Sequence, residues 1–402
     1  MSGIDQIVVV GAGASGVAAA YAAATSGAPV ILLDEQDAPG GWLRSSVSMI
    51  EDAPEMLDGK RGFEAASYAT VLLGSSSVDY RPGTVAWGLF ENGSLGVVGP
   101  EGAYQLRPSR TILATGSTEI VWPFAGWTLP GIMTARAARA FMHLHFVLPG
   151  RRVAVIGQGN DADQMAVDLE MAGADEVHRF ASPDGLVAEG EASVTSIVKD
   201  GDRTHVDAVI LALGSLPDPE LARHALTELR YSESDGCHVP IRNAHMMTSV
   251  DGVFVVGDAG GMTSVAEAVA QGFVAGYAVT RSERLAEAIG TLTDISRETA
   301  VHESVGTASD IPDDVHVDRE EQVTARMIRD AIETGSVSVN DVKRKTRAGM
   351  GVSQGRDTEY VIARMISEQT GISLDQLVPM TARPPARLVS LAALAQLATA
   401  VD

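Results

Sequence analysis

The sequence is poor in cysteine and in basic residues. Its 402 residues include one cysteine, Cys237, which excludes an intramolecular disulfide, a redox dithiol and any site built from several thiolates of this chain. The 30 lysines and arginines are outnumbered by 52 acids, and the net charge of −22 disfavours nucleic acids and anionic membranes as partners. No apolar run approaches the roughly 20 residues of a membrane span, and we identify no signal peptide, so we expect a cytoplasmic protein.

Glycine, in contrast, is abundant, with 41 residues. Gly11, Gly13 and Gly16 form a Gly-x-Gly-x-x-Gly turn between the β-branched run Ile7–Val10 and an alanine-rich segment that predicts a helix. In this context the first glycine permits a tight turn, the second lets a pyrophosphate approach the backbone, and the third lets the helix pack on the strand. The free N–H groups and the positive dipole end of the helix favour phosphates. The pattern predicts a dinucleotide site.

Other candidate residues follow the next predicted strands. Asp34 ends the second strand, where a carboxylate meets the ribose 2′-hydroxyl of a bound dinucleotide. Thr115-Gly116 and Gly257-Asp258 end two later strands, and the carboxyl edge of a parallel sheet faces the cofactor crevice. The predicted cofactor-binding residues are Gly11, Gly13, Gly16, Asp34, Glu35, Gly40, Gly41, Thr115, Gly116, Gly257 and Asp258.

A second, weaker glycine turn repeats the first unit. Gly157 and Gly159 follow another strand, but Asp161 and Asp163 stand at the start of the next helix, where phosphates would bind. Arg179, at the end of the following strand, is suited to a phosphate of NADP or a mononucleotide. Two interpretations stay open, a structural domain and a second nucleotide site.

The first glycine motif, Thr115-Gly116 and Gly257-Asp258 together resemble the glutathione-reductase-like flavoproteins, which have two dinucleotide-binding domains. The resemblance implies an α/β fold with a small C-terminal helical domain, and an FAD whose ADP half, crossover and ribityl-phosphate meet the three motifs. The predicted domains are an FAD domain at 1–118 and 245–285, a reduced NAD(P)-type domain at 119–244, a linker at 286–320 and a helical domain at 321–402.

Three stretches, Leu113–Glu119, Pro123–Ala135 and Leu148–Val153, resemble a narrower family, the alpha subunits of heteromeric flavin-dependent amine and amino-acid dehydrogenases. That family includes the A subunit of opine oxidase, the hydrogen cyanide synthase middle subunit, proline and hydroxyproline dehydrogenase alpha, and sarcosine oxidase alpha. The resemblance implies a hetero-oligomer in which a beta flavoprotein oxidises the C–N bond and this subunit supports assembly and electron transfer. An interfacial FMN or a second nucleotide is left open, and we assign no catalytic residue and no metal site.

The C-terminal region departs from that family. Asp341–Gly351 resembles the segment before a C-x-x-x-x-C pair of the family's [2Fe–2S] domain, but Ser353 and Thr358 stand at the two cysteine positions. Asp318 and Glu320 stand where an upstream C-x-C pair would lie. Because such a cluster requires cysteine or histidine ligands, we predict a domain that keeps its fold without a cluster.

Two other functions remain possible at this stage, a stand-alone FAD-dependent NAD(P)H oxidoreductase and a redox-idle assembly subunit. In the acidic chain a basic cluster, formed by Lys343, Arg344, Lys345 and Arg347, is either a solvated helix face or a surface for a partner or an anionic cofactor.

Overall fold

The computed structural model describes residues 6–51, 57–295 and 305–399. In the first part of the chain the elements are β1 (Ile7–Val10), α1 (Ala14–Thr25), β2 (Val30–Leu33), α2 (Gly62–Gly74), β3 (Asp79–Arg81), β4 (Val85–Leu89), β5 (Leu95–Gly99), β6 (Gly102–Leu106), β7 (Arg110–Leu113), β8 (Ser117–Glu119), β9 (Ile132–Thr134), α3 (Ala135–Leu144), β10 (Arg152–Ile156), α4 (Gly159–Ala172) and β11 (Glu176–Phe180). The remaining elements are β12 (Val187–Glu189), β13 (Ser196–Lys199), β14 (Asp202–His205), β15 (Ala208–Leu211), β16 (Ser215–Pro217), α5 (Glu220–His224), β17 (Leu229–Ser232), β18 (Cys237–Pro240), β19 (Val253–Val255), α6 (Val265–Thr280), α7 (Leu285–Asp294), β20 (His316–Asp318), β21 (Val323–Thr324), α8 (Ala325–Glu333), α9 (Val339–Thr346), α10 (Glu359–Thr370) and α11 (Leu391–Thr399).

The described residues divide into two compact units. The first comprises residues 6–51, 57–117, 216–295 and 382–399, and the second comprises residues 118–215 and 305–381. No helix in these ranges is long and apolar enough to cross a membrane.

The first unit is built on a parallel sheet with the strand order β19-β7-β1-β2-β3. The central strands β1 and β2 are buried along their whole length, as their runs of valine, isoleucine and leucine predict. An antiparallel meander, β4-β5-β6, follows β3 in the chain. Because β1, β2, β7 and β19 are parallel, their carboxyl ends meet at one edge of the sheet.

Helices α1 and α6 of the first unit pack unusually close together, because small residues line their contact. A Cβ atom built on Gly272 would lie 2.3 Å from the carbonyl oxygen of Ser15, and one on Gly276 would lie 2.4 Å from that of Ala19. Both distances are below van der Waals contact, so these two positions require glycine. Part of the glycine excess therefore serves helix packing rather than ligand binding.

The second unit repeats the parallel arrangement in smaller form. Its main sheet has the order β11-β10-β15-β9, and β12-β13-β14 form a separate antiparallel sheet. The helices α8, α9 and α10 and the short pair β20-β21 complete the unit. This α/β architecture with a C-terminal helical region matches the predicted fold class.

The boundaries between units differ from the predicted ones. Residues 216–244, which we predict to belong to the second nucleotide domain, lie in the first unit, where Leu221, Ala222 and Ala225 enter the hydrophobic core. Residues 382–399, predicted with the helical domain, also lie in the first unit.

The predicted linker also contains regular structure. Helix α7 covers its first residues, and Ala288, together with the partly buried Leu285 and Leu292, packs on the core of the first unit. These apolar residues are spaced by three and four positions among polar ones, which produces one buried helix face in a segment of polar composition. Residues 296–304 of the linker lie outside the described residues.

Candidate cofactor site

The glycine turn after β1 combines close packing with open space. Gly11 has a φ of +100°, and a Cβ atom on it would lie 2.2 Å from the carbonyl oxygen of Ala114. A Cβ atom on Gly16 would lie 1.8 Å from the carbonyl oxygen of Gly11, whereas Gly13 has no atom within 4 Å of that position. Gly11 and Gly16 are thus required by the fold, and Gly13 leaves room for a ligand at the start of α1.

The start of α1 is suited to an anion. Gly13 is the N-cap residue and has no side chain to satisfy the first N–H groups, and the first turn contains no acidic residue. The N-terminus of a helix with free N–H groups and a positive dipole end binds phosphate. The turn therefore fits the pyrophosphate of a dinucleotide.

Gly40 and Gly41 close the other side of this turn. The N–H of Gly40 donates to the carbonyl oxygen of Ala12 at 2.7 Å, and both glycines have positive φ, +114° and +56°. A Cβ atom on Gly41 would lie 3.2 Å from the Cα of Gly13, so two backbone segments approach each other without side chains between them. The structure thus brings the predicted glycine motif and the pair Gly40-Gly41 to one place.

The two acids after β2 have different surroundings. Asp34 is 8% exposed, and its carboxylate accepts hydrogen bonds from the N–H of Ala12 and, at 2.7 Å, from that of Gln36. Burial raises the pKa of the Asp34 carboxyl, while these two N–H groups act in the opposite direction. Glu35 is an exposed residue whose side chain is 48% accessible. Asp34 thus serves the loop itself, and Glu35 is the accessible carboxylate at this strand end.

The turn after β7 is fixed by a residue that the sequence did not identify. The Thr115 hydroxyl donates to the carbonyl oxygen of Asp218 at 2.7 Å, and the N–H of Asp218 donates to the carbonyl oxygen of Gly116 at 3.0 Å. Gly116 has a φ of +76° and no atom within 4 Å of a Cβ position. Like Gly13, it leaves the main chain accessible at the edge of the sheet.

The turn after β19 is held by a buried glutamine. Gly257, with a φ of +64°, donates its N–H to Oε1 of Gln271 at 2.9 Å, and Arg242 donates to the same oxygen at 2.8 Å. The carboxylate of Asp258 accepts from the hydroxyl of Ser117 at 2.9 Å and from that of Thr263 at 3.0 Å. No local pattern marks Gln271, Arg242 or Ser117, because they reach this turn only through the tertiary fold.

The second glycine turn, in the second unit, has internal partners for its charges. A Cβ atom on Gly157 would lie 1.9 Å from the carbonyl oxygen of Ala212, so this glycine serves packing, whereas Gly159 has open space. Arg179 forms an ion pair with Asp163. A phosphate at this place would compete with that carboxylate for the guanidinium.

A second arginine pairs with two further acids of helix α4. Arg139 pairs with Asp161 at 2.7 Å and with the fully buried side chain of Asp168 at 3.0 Å. The acidic start of α4 is therefore balanced by arginines from the same unit, which agrees with the interpretation as a structural domain.

The module that follows residue 305 has carboxylates in the place of thiolates. Asp318 is 1% exposed; one carboxylate oxygen accepts from the N–H groups of Glu320 and Glu321 at 2.9 Å each, and the other accepts from the N–H of Gly349 at 2.6 Å. The Glu320 carboxylate accepts from the N–H of Ser353 at 2.8 Å. The carboxylates of Asp318 and Glu320 thus accept main-chain N–H groups of two loops of the module, at residues 318–321 and 347–353.

These residues do not fit an iron–sulfur cluster. The buried Thr358 hydroxyl has no hydrogen-bond partner among the described residues, and Ser353 is also buried. Carboxylates and hydroxyls are poor ligands for soft iron–sulfur chemistry. Across the described ranges, no group of three or more histidine, cysteine, aspartate or glutamate side chains is arranged to hold a metal ion.

The basic cluster makes contacts within the same module. Lys345 donates to the carbonyl oxygens of Ala331 and Thr334 at 3.2 and 3.1 Å, which caps the end of α8. Arg347 pairs with Glu321 at 2.8 Å, and Arg344 donates to a carboxylate one helical turn earlier at 3.0 Å. These contacts favour the helix-face interpretation over a dedicated partner surface.

Three family models match parts of the chain. They describe an FAD dependent oxidoreductase at residues 6–64, a pyridine nucleotide-disulphide oxidoreductase at residues 176–272 and a sarcosine oxidase A3 domain at residues 313–397. The first covers the glycine turn and the acids after β2, and the third covers the carboxylate-containing module.

Similar proteins cover the chain from end to end. The A subunit of opine oxidase from Rhizobium meliloti (strain 1021) is 27% identical, over 97% of this chain and 98% of the relative. The alpha subunit of sarcosine oxidase from the same organism is 28% identical over 97% of this chain, which spans 42% of that protein. The solved structure of L-proline dehydrogenase from P. horikoshii has the same fold, with a TM-score of 0.87, 22% identity and coverage of 98% of this chain and 81% of the other. The predicted family resemblance, two-domain fold and oxidoreductase class are confirmed.

Proposed function

We propose that this chain, an FAD-dependent oxidoreductase related to the A subunit of opine oxidase over nearly its whole length, is the FAD-binding alpha subunit of a heteromeric amine or amino-acid dehydrogenase or oxidase. In this proposal a beta flavoprotein oxidises the C–N bond of an opine-, proline- or sarcosine-like substrate, and the alpha subunit supports assembly and electron transfer. The observation that carries the proposal is the end-to-end match to a protein named as a subunit, which includes the C-terminal module.

The residues of the first unit fit FAD. Gly13 leaves the backbone open where α1 begins, and Gly41, without a side chain, lets its own segment lie beside Gly13, which suits the pyrophosphate. Glu35 is the carboxylate that we assign to the adenosine ribose, because both oxygens of Asp34 already accept main-chain N–H groups. Thr115-Gly116 and Asp258 are assigned to the flavin side of the cofactor. The bound flavin would supply the redox chemistry, and this chain supplies its position and electrostatic surroundings.

The second nucleotide domain is proposed to be structural. Its candidate phosphate ligand, Arg179, pairs with Asp163, and Asp161 pairs with Arg139 at the start of α4. The observation that supports the alternative, a stand-alone NAD(P)H oxidoreductase, is the match of residues 176–272 to the pyridine nucleotide-disulphide oxidoreductase family. An interfacial FMN remains part of the family-based proposal, and a redox-idle assembly subunit remains the third candidate.

A glycine pair tests the FAD assignment. Gly13→Ala places a methyl group in the space assigned to the pyrophosphate. Gly13 has a negative φ and no atom within 4 Å of its Cβ position, so the change should lower the stability of helix α1 by about 1 kcal/mol at most, through its N-cap. Gly74→Ala is the matched control, because Gly74 also has no atom within 4 Å of its Cβ position but lies at the end of α2. We expect the first variant to purify without flavin and the second to retain it. Equal flavin content in both variants would contradict the assignment.

The proposed role within a heteromeric enzyme has to be tested on the complex. We would co-purify the chain with its partner and assay the complex with an artificial electron acceptor and a panel of opines, proline and sarcosine. Substrate-dependent reduction that needs both chains supports the proposal. Rapid reduction of the isolated chain's flavin by NADH or NADPH in a stopped-flow cell would overturn it in favour of the stand-alone enzyme.

A further inference from the structure

A late segment of the chain runs beside the candidate FAD site of the first unit. Ala386 is 1% exposed and belongs to the core cluster that contains β1 and β2 side chains. Its N–H donates to the carbonyl oxygen of Trp87 at 2.7 Å. The backbone before Arg387 is therefore fixed by both a buried methyl group and a main-chain hydrogen bond.

The Arg387 side chain is fixed as well. Its Nη2 donates to Oδ2 of Asp218 at 2.7 Å, its Nε donates to Oε2 of Glu35 at 3.3 Å, and its Nη1 donates to the carbonyl oxygen of Ala386 at 3.1 Å. The arginine side chain is 25% exposed and that of Asp218 is 5% exposed. A planar guanidinium with partners on three of its nitrogens has one orientation.

The two acids that Arg387 joins belong to different parts of the site. Asp218 is hydrogen-bonded to both Thr115 and Gly116 in the turn after β7, and Glu35 follows β2. The arginine thus links two loops at the carboxyl edge of one sheet. It also restrains Glu35, whose side chain is 48% accessible and would otherwise sample several rotamers.

We propose that Arg387 is a positioning residue for the adenosine ribose. It holds the Glu35 carboxylate in the orientation in which that group accepts a ribose hydroxyl. The inference rests on the proposed FAD site and adds a residue that no glycine or acid motif includes. If Arg387 instead attracted the diphosphate by its charge, its loss would weaken all diphosphate ligands equally, with no dependence on the ribose.

ADP and 2′-deoxy-ADP separate these two roles, because they differ only in the ribose hydroxyl. We would titrate both nucleotides into apoprotein by calorimetry. For wild type we expect about tenfold tighter binding of ADP, the effect of one charge-assisted hydrogen bond in a partly exposed site. This preference for ADP should fall to about twofold or less in Glu35→Gln and in Arg387→Ala. The double variant should show no further loss of the preference than either single variant.

Two further variants control for charge and folding. Arg383 is an exposed arginine of the same segment, and its side chain has no hydrogen bond or ion pair to the described residues. Arg383→Ala should therefore keep the wild-type preference for ADP over 2′-deoxy-ADP. Arg387→Lys keeps a positive charge beside buried Asp218 but loses the planar guanidinium, whose N–H groups contact both acids. We expect it to unfold at nearly the wild-type temperature while its preference for ADP is reduced.

An unchanged ADP preference in Arg387→Ala, or an equal loss of affinity for both nucleotides, would overturn the inference and leave the FAD site intact. Wild-type protein that binds neither FAD nor ADP would overturn the proposed function itself.

Discussion

Asp318 is predicted to hold together the two loops of the module that resembles an iron–sulfur domain. Its carboxylate accepts three main-chain N–H groups, from Glu320, Glu321 and Gly349, at a position that is 1% exposed. Asp318→Ala leaves these donors without their charged acceptor. At about 1 kcal/mol for each N–H, the typical net value for a protein hydrogen bond, the local structure loses about 3 kcal/mol of stability against opening.

Hydrogen exchange measured by mass spectrometry reports this loss directly. A change of about 3 kcal/mol corresponds to roughly 100-fold faster exchange of the amides in the peptides that contain residues 318–321 and 347–353. Asp318→Asn retains one acceptor oxygen and should have a smaller effect in the same peptides. Asp375→Ala, which removes an exposed carboxylate from the same unit, should leave them unchanged.

Exchange rates within about threefold of wild type in Asp318→Ala would refute the reasoning, because the three hydrogen bonds would then contribute almost nothing to stability. Stoichiometric iron and sulfide in protein purified without oxygen would refute it independently, since the donors of these loops would then serve a cluster.

Two further predictions concern the first unit. Gly272→Ala forces a methyl group to within 2.3 Å of the Ser15 carbonyl oxygen and should lower the free energy of unfolding by about 2 kcal/mol or more. The control, Gly290→Ala, changes an open position of α7 and should be neutral or stabilising. Equal urea midpoints for the two variants would contradict the close contact between α1 and α6. Burial raises the pKa of Tyr80 to about 12, so between pH 10 and 12 the folded state keeps a proton that the unfolded state releases, and stability should fall as the pH rises. Tyr80→Phe removes this loss, and the difference between its thermal midpoint and that of wild type should grow above pH 10 but not below it.

The sequence predicts the parts of the site whose chemistry is local. Gly11, Gly13 and Gly16 are recognisable because a tight turn, a ligand approach and a helix contact each require glycine at a fixed spacing. The strands next to the turns are recognisable from their β-branched runs. The structure gathers these predicted residues at one sheet edge, although their roles toward FAD remain proposals.

The partners of those residues are not predictable in the same way. Gln271, Arg242, Asp218 and Arg387 reach the site through tertiary contacts, and each is a common residue type without a local pattern. The assignment of the ribose to Asp34 illustrates the same limit, because only the structure shows that its two oxygens already accept main-chain N–H groups while Glu35 is accessible.

The route of the chain through the first unit also has a consequence for biosynthesis. Arg387 and Glu35 are 352 positions apart in sequence, and the strand β19 and Ala386 are needed to complete the sheet and its core. The glycine turn leaves the ribosome long before β19 and the arginine, so the nascent chain carries an unfinished sheet until β19 has emerged. The proposed FAD site is then completed late in synthesis, and products of termination before β19 should be substrates for cellular proteases.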